Sequence, residues 1–237
     1  EDHRRKYVKL VAKRVIGGFA SSAAIFLARF HALVRSRGKS GFAGSPNAPA
    51  PIFVSWYPRS WRTRDGKWED MYLAGTPTLV AAHLTEEWIP EYLLVLYEGN
   101  DFVTPWAFLR RLRALRRLSM PFHVLEASGR VVDVVRHFLP LRDLWRMWRL
   151  THEASLRRAM TWRGHDLSPV FNFLLWRSVL ISLPNHRVQE ACAYRFSKKR
   201  ALSLVAAYKW EFNTGRALVR GLRRGSPTLH IVGIQHG

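Results

Sequence analysis

Cysteine is almost missing from this chain. Cys192 is the only one in 237 residues, which excludes an internal disulfide and any cysteine-based zinc site. It stands in the helical-looking stretch "QEACAYRF", where a small buried thiol is a better expectation than a nucleophile. A lone cysteine agrees with a reducing cytoplasm. Other signatures are missing as well. There is no G-x-G-x-x-G and no phosphate-cradling P-loop. His83, His123, His165, His186 and His230 have no metal-ligand spacing. No fingerprint of a nucleic-acid module occurs, so specific nucleic-acid binding has only net charge in its favour. No signal-peptide cleavage site is recognisable.

Acidic residues are scarce, 17 against 38 basic ones, for a formal net charge of +21. A hydrophobic content of 48% with 23% charged residues still describes a folded chain, with room for one large domain or one and a half. The charge is uneven. Residues 51–128 are neutral, with nine bases and nine acids, while residues 129–200 carry fourteen bases against five acids. Such a chain attracts polyanions: nucleic acid, anionic lipid or phosphorylated substrates. Lysine is the minor base, eight of the 38. Arginine is the better bidentate phosphate ligand, although a GC-rich genome accounts for the same bias. Ten tryptophans point to a large core, a membrane-proximal surface, or both.

The longest apolar run is "VIGGFASSAAIFLARFHALV", Val15–Val34, with Lys13, Arg14, Arg35 and Arg37 at its flanks. Arg29 lies within it, and a charge inside a span costs about 2.5–3.5 kcal/mol. The run therefore reads better as a helix lying on a membrane surface, or packed against another part of the protein, than as a span. Residues 1–37 are expected to form this basic amphipathic helix. Residues 38–50, "GKSGFAGSPNAPA", have linker composition. The folded domain is expected over residues 51–237.

Within it, "PIFVSWYP", Leu93–Tyr97, Pro121–Ala127, Ala201–Glu211 and Thr228–Ile234 read as strands. Helical periodicity runs over residues 69–83 after an Asp65-Gly66 turn, then over 105–118, 131–160, 167–182, 184–200 and 213–225. Alternation of this kind predicts an α/β layered fold with a mainly parallel sheet. Ligands of such sheets sit at the carboxyl ends of the strands. Three polar clusters fall there: the Trp56–Trp61 stretch, Lys209–Thr214 and Gln235–Gly237.

Each cluster has a chemical and a plain reading. His236, in "GIQHG", is suited to act as a general base or to hold a phosphate, and its glycine neighbours permit close backbone approach; otherwise it is a turn histidine. Glu211 is the only acid among the last 37 residues. It is a base, a ligand for a sugar hydroxyl, or a salt-bridge partner of Lys209 or Arg216. "SWYPRSWR", Ser55–Arg62, sets aromatic faces beside guanidinium forks, which suits sugar rings and phosphates. It is equally a loop pinned by its own aromatics.

Taken together, "FVSWYPRSWRTRDGKWEDMY", "AAYKWEFNTGRALVRGL" and "IVGIQHG" resemble, in this order, bacterial surface-carbohydrate biosynthesis proteins. The terminal piece is similar to the Gln-His-Gly turn of teichoic acid polymerases and capsule Kdo transferases, which are glycosyltransferases built of two Rossmann-like domains (GT-B). Phe212-Asn213-Thr214-Gly215 departs from the polar, Trp-containing stretch that usually follows the glutamate in that pattern.

The resemblance implies the acceptor-binding half of such an enzyme, with a cleft-edge turn at Gln235-His236-Gly237. His236 and Glu211 would be catalytic. Gln235, Gly237, Trp56, Arg59, Trp61, Arg62, Asn213 and Thr214 would contact substrate. No metal or cofactor would be needed, and the donor would be a nucleotide-activated sugar or polyol phosphate held by a second domain. With no Met at its start and an end just after the motif, the chain reads as a piece lacking that domain. The acceptor would be a glycan or a lipid-linked glycan, and the place cytoplasmic, peripheral on the inner face of the plasma membrane. The competing expectation is a non-catalytic basic α/β module that binds anionic lipid or nucleic acid.

Overall fold

Apolar runs rich in β-branched and aromatic residues become strands, and the amphipathic stretches between them become helices. The computed structural model describes residues 2–37, 50–64, 67–83, 91–98, 103–118, 121–139, 141–208 and 212–234. In chain order the strands are β1 (Ala50–Trp56), β2 (Trp61–Arg64), β3 (Lys67–Asp70), β4 (Glu91–Val95), β5 (Phe122–Val124), β6 (Thr161–Trp162), β7 (His165–Asp166), β8 (Leu202–Ala207) and β9 (His230–Gly233). The helices are α1 (Asp2–Arg37), α2 (Thr76–His83), α3 (Pro105–Ala114), α4 (Val131–Phe138), α5 (Leu141–Thr151), α6 (Ala154–Ala159), α7 (Ser168–Arg177), α8 (Leu183–Lys199) and α9 (Asn213–Gly225).

Five strands form one sheet in the order β5-β4-β1-β8-β9, and every neighbouring pair is parallel. The fold is therefore the expected α/β Rossmann-like layered domain. Its central strands are covered on both faces, which is why they read as nearly continuous apolar runs. All five residues of β4 are buried, as are Ile52, Phe53 and Val54 of β1 and Val205, Ala206 and Ala207 of β8. The chain leaves β1 toward β4 and β5, then returns on the other side of β1 with β8 and β9. The connection reverses between β1 and β8, so a crevice is expected at the carboxyl ends of those two strands.

Helix α1 belongs to this packing. Leu10, Arg14, Gly17, Ser21, Ala24 and Ala28 follow steps of three or four residues and are all buried. Ala20, Ala24, Ile25 and Ala28 join the same core as the sheet. Its partner surface includes the turn Leu125–Ser128 and α8. At that meeting point a Cβ on Gly129 would lie 2.8 Å from the Cys192 sulfur and 2.9 Å from Ile25 Cδ1, so no side chain fits there. Cys192 itself is a buried thiol, and burial pushes its pKa far up.

Three local expectations are corrected. Residues 69–83 are not one helix: β2 and β3 pair as an antiparallel hairpin, a turn follows at 71–75, and the helix starts only at Thr76. Residues 131–166 hold three separate helices and a second hairpin, β6–β7. Finally, α7 and α8 are joined through a widened turn, Ser178–Ser182, in which the Leu183 amide bonds to the Ser178 carbonyl. Proline has no amide to donate and crowds the carbonyl four residues back. Pro184 thus explains the widening, and the Leu180 carbonyl it leaves free accepts from Arg14 Nη1 at 3.4 Å.

Candidate functional site

The crevice between β1 and β8 is closed by a buried polar knot. Asp70, at the end of β3, is 2% exposed. Its Oδ1 accepts the amides of Tyr72 (2.8 Å) and Leu73 (3.3 Å). Its Oδ2 accepts from the Ser55 hydroxyl, lies 3.0 Å from the Ser60 hydroxyl and accepts from the Tyr208 phenol at 3.2 Å. Ser55 in turn accepts the Trp61 indole N–H at 2.7 Å, and Tyr208 accepts the Trp56 amide at 3.2 Å. A carboxylate so fully bonded has no lone pair left for a substrate proton. Its chemistry is to hold the β1–β2 loop and the 71–75 turn onto the end of β8. Burial pushes the Tyr208 phenol up, so it stays a neutral donor.

This arrangement decides how the Ser55–Arg62 loop is read. Trp56 and Trp61 are 1% and 0% exposed. Their rings pack on Tyr208 (4.9 Å between centroids) and Tyr92 (5.6 Å) respectively. The expectation that they offer aromatic faces to a sugar does not fit this packing; they pin the loop from within. The loop contains a cis Tyr57-Pro58 bond and turns its arginines outward. Arg59 is exposed and pairs with Glu98 at 2.5 Å. Arg62, also exposed, donates to the carbonyls of Trp61 (2.8 Å) and Arg59 (3.2 Å). Both side chains are exposed at the carboxyl edge.

Asn213 and Thr214 open α9, close in sequence to the carboxyl end of β8. The amide of Ile234, just past β9, bonds to the Ala207 carbonyl at 2.9 Å, so the end of β9 is held beside the end of β8. Glu211, Gln235, His236 and Gly237 lie outside the described residues.

Two features were not anticipated. Glu126 is buried, and its Oε1 accepts the amides of Leu96 (3.0 Å) and Tyr97 (2.7 Å) just beyond β4. Burial pushes its carboxyl up to about 7, against the opposing pull of those amides and of Arg111. Nothing in "HVLEASG" marks this glutamate as internal. The second is a cleft of about 420 Å³ between α4, α8 and α9, whose lining includes Arg136, Arg187, Arg195, Arg220 and Arg224. Two carboxylates there are already engaged: Asp133 takes both Nη atoms of Arg195, and Glu190 takes Arg224 at 2.8 Å. The net positive field is an anion-attracting one. It was foreshadowed only by the arginine count of these helices.

Among the described residues no group of three His, Cys, Asp or Glu side chains is placed to hold a metal ion. No family model, curated protein or solved structure matches the chain.

Proposed function

We propose that this chain is the acceptor-side half of a GT-B-type glycosyltransferase that builds a bacterial surface polysaccharide. One observation carries the reading. The three sequence pieces that resemble that family follow β1, β8 and β9, which are neighbours in one parallel sheet and present their carboxyl ends at the same edge. The described ends of these strands, Trp56, Ala207 and Gly233, thereby lie side by side at the edge where α/β sheets bind ligands.

In this reading His236 is the base that takes the acceptor proton, or the ligand of a phosphate. Glu211 and Gln235 hold acceptor hydroxyls. Arg59 and Arg62 meet negative charge at the cleft rim, and Asn213 and Thr214 line its α9 side. Trp56 and Trp61 act through the loop they pin. The donor, a nucleotide-activated sugar, is bound by a second Rossmann-like domain outside this sheet, and no metal takes part.

The test is transfer by the natural full-length protein from a panel of UDP-, GDP- and CMP-sugars, with His236→Ala and Glu211→Ala beside it. Loss of turnover in His236→Ala with the fold intact is expected. Wild-type turnover in that variant would remove its assigned role, and no donor cleavage by the parent would remove the transferase reading.

The arginine cleft favours a second reading, a binding module for phosphorylated polyanions. It predicts binding of a heparin or polyphosphate probe that weakens steeply with salt and is reduced by Arg136→Ala with Arg220→Ala. A transferase acting alone would leave transfer untouched by those changes.

A further inference from the structure

Helix α1 carries two apolar stripes. One faces the core, as described. On the opposite side Val8, Val15, Phe19, Phe26, Phe30 and Leu33 follow steps of three, four or seven residues, and each is more than half exposed. The other positions of this outward stripe, Ala12, Ser22 and Ala23, carry no charge. A helix whose only task is to cover a core has a polar outer face. This one does not.

The stripe continues into a groove of about 820 Å³, lined by Val15 and Phe19 of α1, Val135 and Phe138 of α4, and Leu144 and Trp148 of α5. The lining holds one charged group, and it is directed away from any ligand. Arg14 is buried, and its guanidinium is spent on the carbonyls of Phe138, Val179 and Leu180. Val15, Phe19, Val135 and Trp148 are each at least half exposed, so stripe and groove form one continuous apolar face. Soluble monomers seldom leave so large an apolar face open.

The charge around the face says what covers it. Between His3 and Arg37, α1 has no acidic residue. On α5, Arg142, Arg146 and Arg149 are exposed, and the one acid, Asp143, is tied to Arg187. Arg149 lies over the ring of Trp145, 5.3 Å from its centroid, and Trp145 is 56% exposed. Exposed tryptophan beside arginine at the rim of an apolar face is the composition of a membrane–water boundary. A second copy of this basic chain would bring like charge to the rim. An anionic leaflet brings acyl chains to the stripe and phosphates to the arginines.

We propose that this face seats the protein on an anionic lipid leaflet, with α1 in the plane of the interface and an acyl chain entering the groove beside it. The inference concerns how the protein is held and does not rest on the transferase reading.

Vesicles of phosphatidylcholine with phosphatidylglycerol, and of phosphatidylcholine alone, test it by co-sedimentation of the full-length protein. Binding is expected to both, tighter to the anionic ones, and to be weakened but not abolished by high salt, because apolar seating is not screened. Lipids brominated on their acyl chains should quench tryptophan fluorescence, and Trp148→Phe should lower that quenching. Phe19→Ser with Phe26→Ser should weaken vesicle binding by about tenfold or more, with an unchanged circular-dichroism spectrum. Binding lost entirely in salt with no quenching would reduce the contact to charge and overturn the proposal. So would absence of co-sedimentation, or a dimer in solution that the same two substitutions dissociate. Should the double variant not fold, quenching of the parent protein by brominated lipid decides alone.

Discussion

The phenol of Tyr208 joins the two halves of the sheet: it accepts the amide of Trp56 at the end of β1 and donates to Asp70 at the end of the β2–β3 hairpin, each at 3.2 Å. The bond lies at the point where the strand connections change direction. It closes with protein atoms a crevice that α/β folds ordinarily keep for ligands. A ligand at this edge would meet the loop tips above the knot, where Arg59 and Arg62 are exposed.

Removing the hydroxyl with Tyr208→Phe takes a donor from Asp70 Oδ2 and the acceptor from the buried Trp56 amide, which costs about 1–3 kcal/mol. Asp70→Ala should cost more, since the hydroxyls of Ser55 and Tyr208 and two backbone amides lose their acceptor together. Equilibrium denaturation of the two variants checks the order. A Tyr208→Phe protein as stable as its parent would show that the knot contributes little.

The sheet was legible because buried parallel strands spell themselves as apolar runs, and "APIFVSW" or "LSLVAA" has no competing period. The β2–β3 hairpin was not, although Asp65-Gly66 signals a turn. Its strands are four residues each and mostly polar, so tertiary bonds to Asp70 fix them rather than local pattern. The role of α1 was also hidden. A helix apolar on both sides satisfies the length and composition of a membrane span as readily as those of a core element, and only the small residues Gly17, Ala20, Ala24 and Ala28 hint at close packing. Loop aromatics pose the same ambiguity: "SWYPRSWR" does not say which rings face inward. That the strands share one carboxyl edge was legible, because alternation of strands and helices implies a parallel sheet.

Helices α8 and α9 touch through glycine. A Cβ at Gly221 would stand 2.3 Å from the Glu190 carbonyl oxygen and 2.7 Å from Ala193 Cβ. Backbone cannot yield as a side-chain tip can. Gly221→Ala should therefore destabilise the protein by about 1–3 kcal/mol or more, despite the better helix propensity of alanine. A thermal melt that rises on this substitution would show the two helices to be farther apart.

Arg14 is the unusual cation, buried in the middle of an apolar wall. It satisfies the Phe138 carbonyl at the end of α4 and the Leu180 carbonyl that Pro184 cannot reach. Burial pulls its pKa down, with Asp143 opposing. Arg14→Met keeps much of the volume and removes the donors, at an expected cost of about 1–3 kcal/mol for the stranded carbonyls. Arg14→Lys should recover part of that loss. Equal stability of the Met variant and the parent, by urea midpoint at constant slope, would remove the capping role.

Glu126 gives the fold a pH dependence of unusual sign. Its carboxyl is held up to about 7 by burial, whereas in the unfolded chain it ionises near the ordinary glutamate value of ~4.3. Between those values the folded state keeps a proton that the unfolded state has released. The contribution is complete below the unfolded value and is lost as pH rises toward 7. The amides of Leu96 and Tyr97 donate to Oε1 in either state, so the folded form survives ionisation at reduced stability. Glu126→Gln keeps an acceptor for those amides and cannot ionise. Its stability relative to the parent should therefore rise between pH 5 and pH 8, by an amount on the order of 3 kcal/mol at most. Parallel pH profiles of unfolding midpoint for the two proteins would show that the carboxyl ionises in the folded state as it does in the unfolded one.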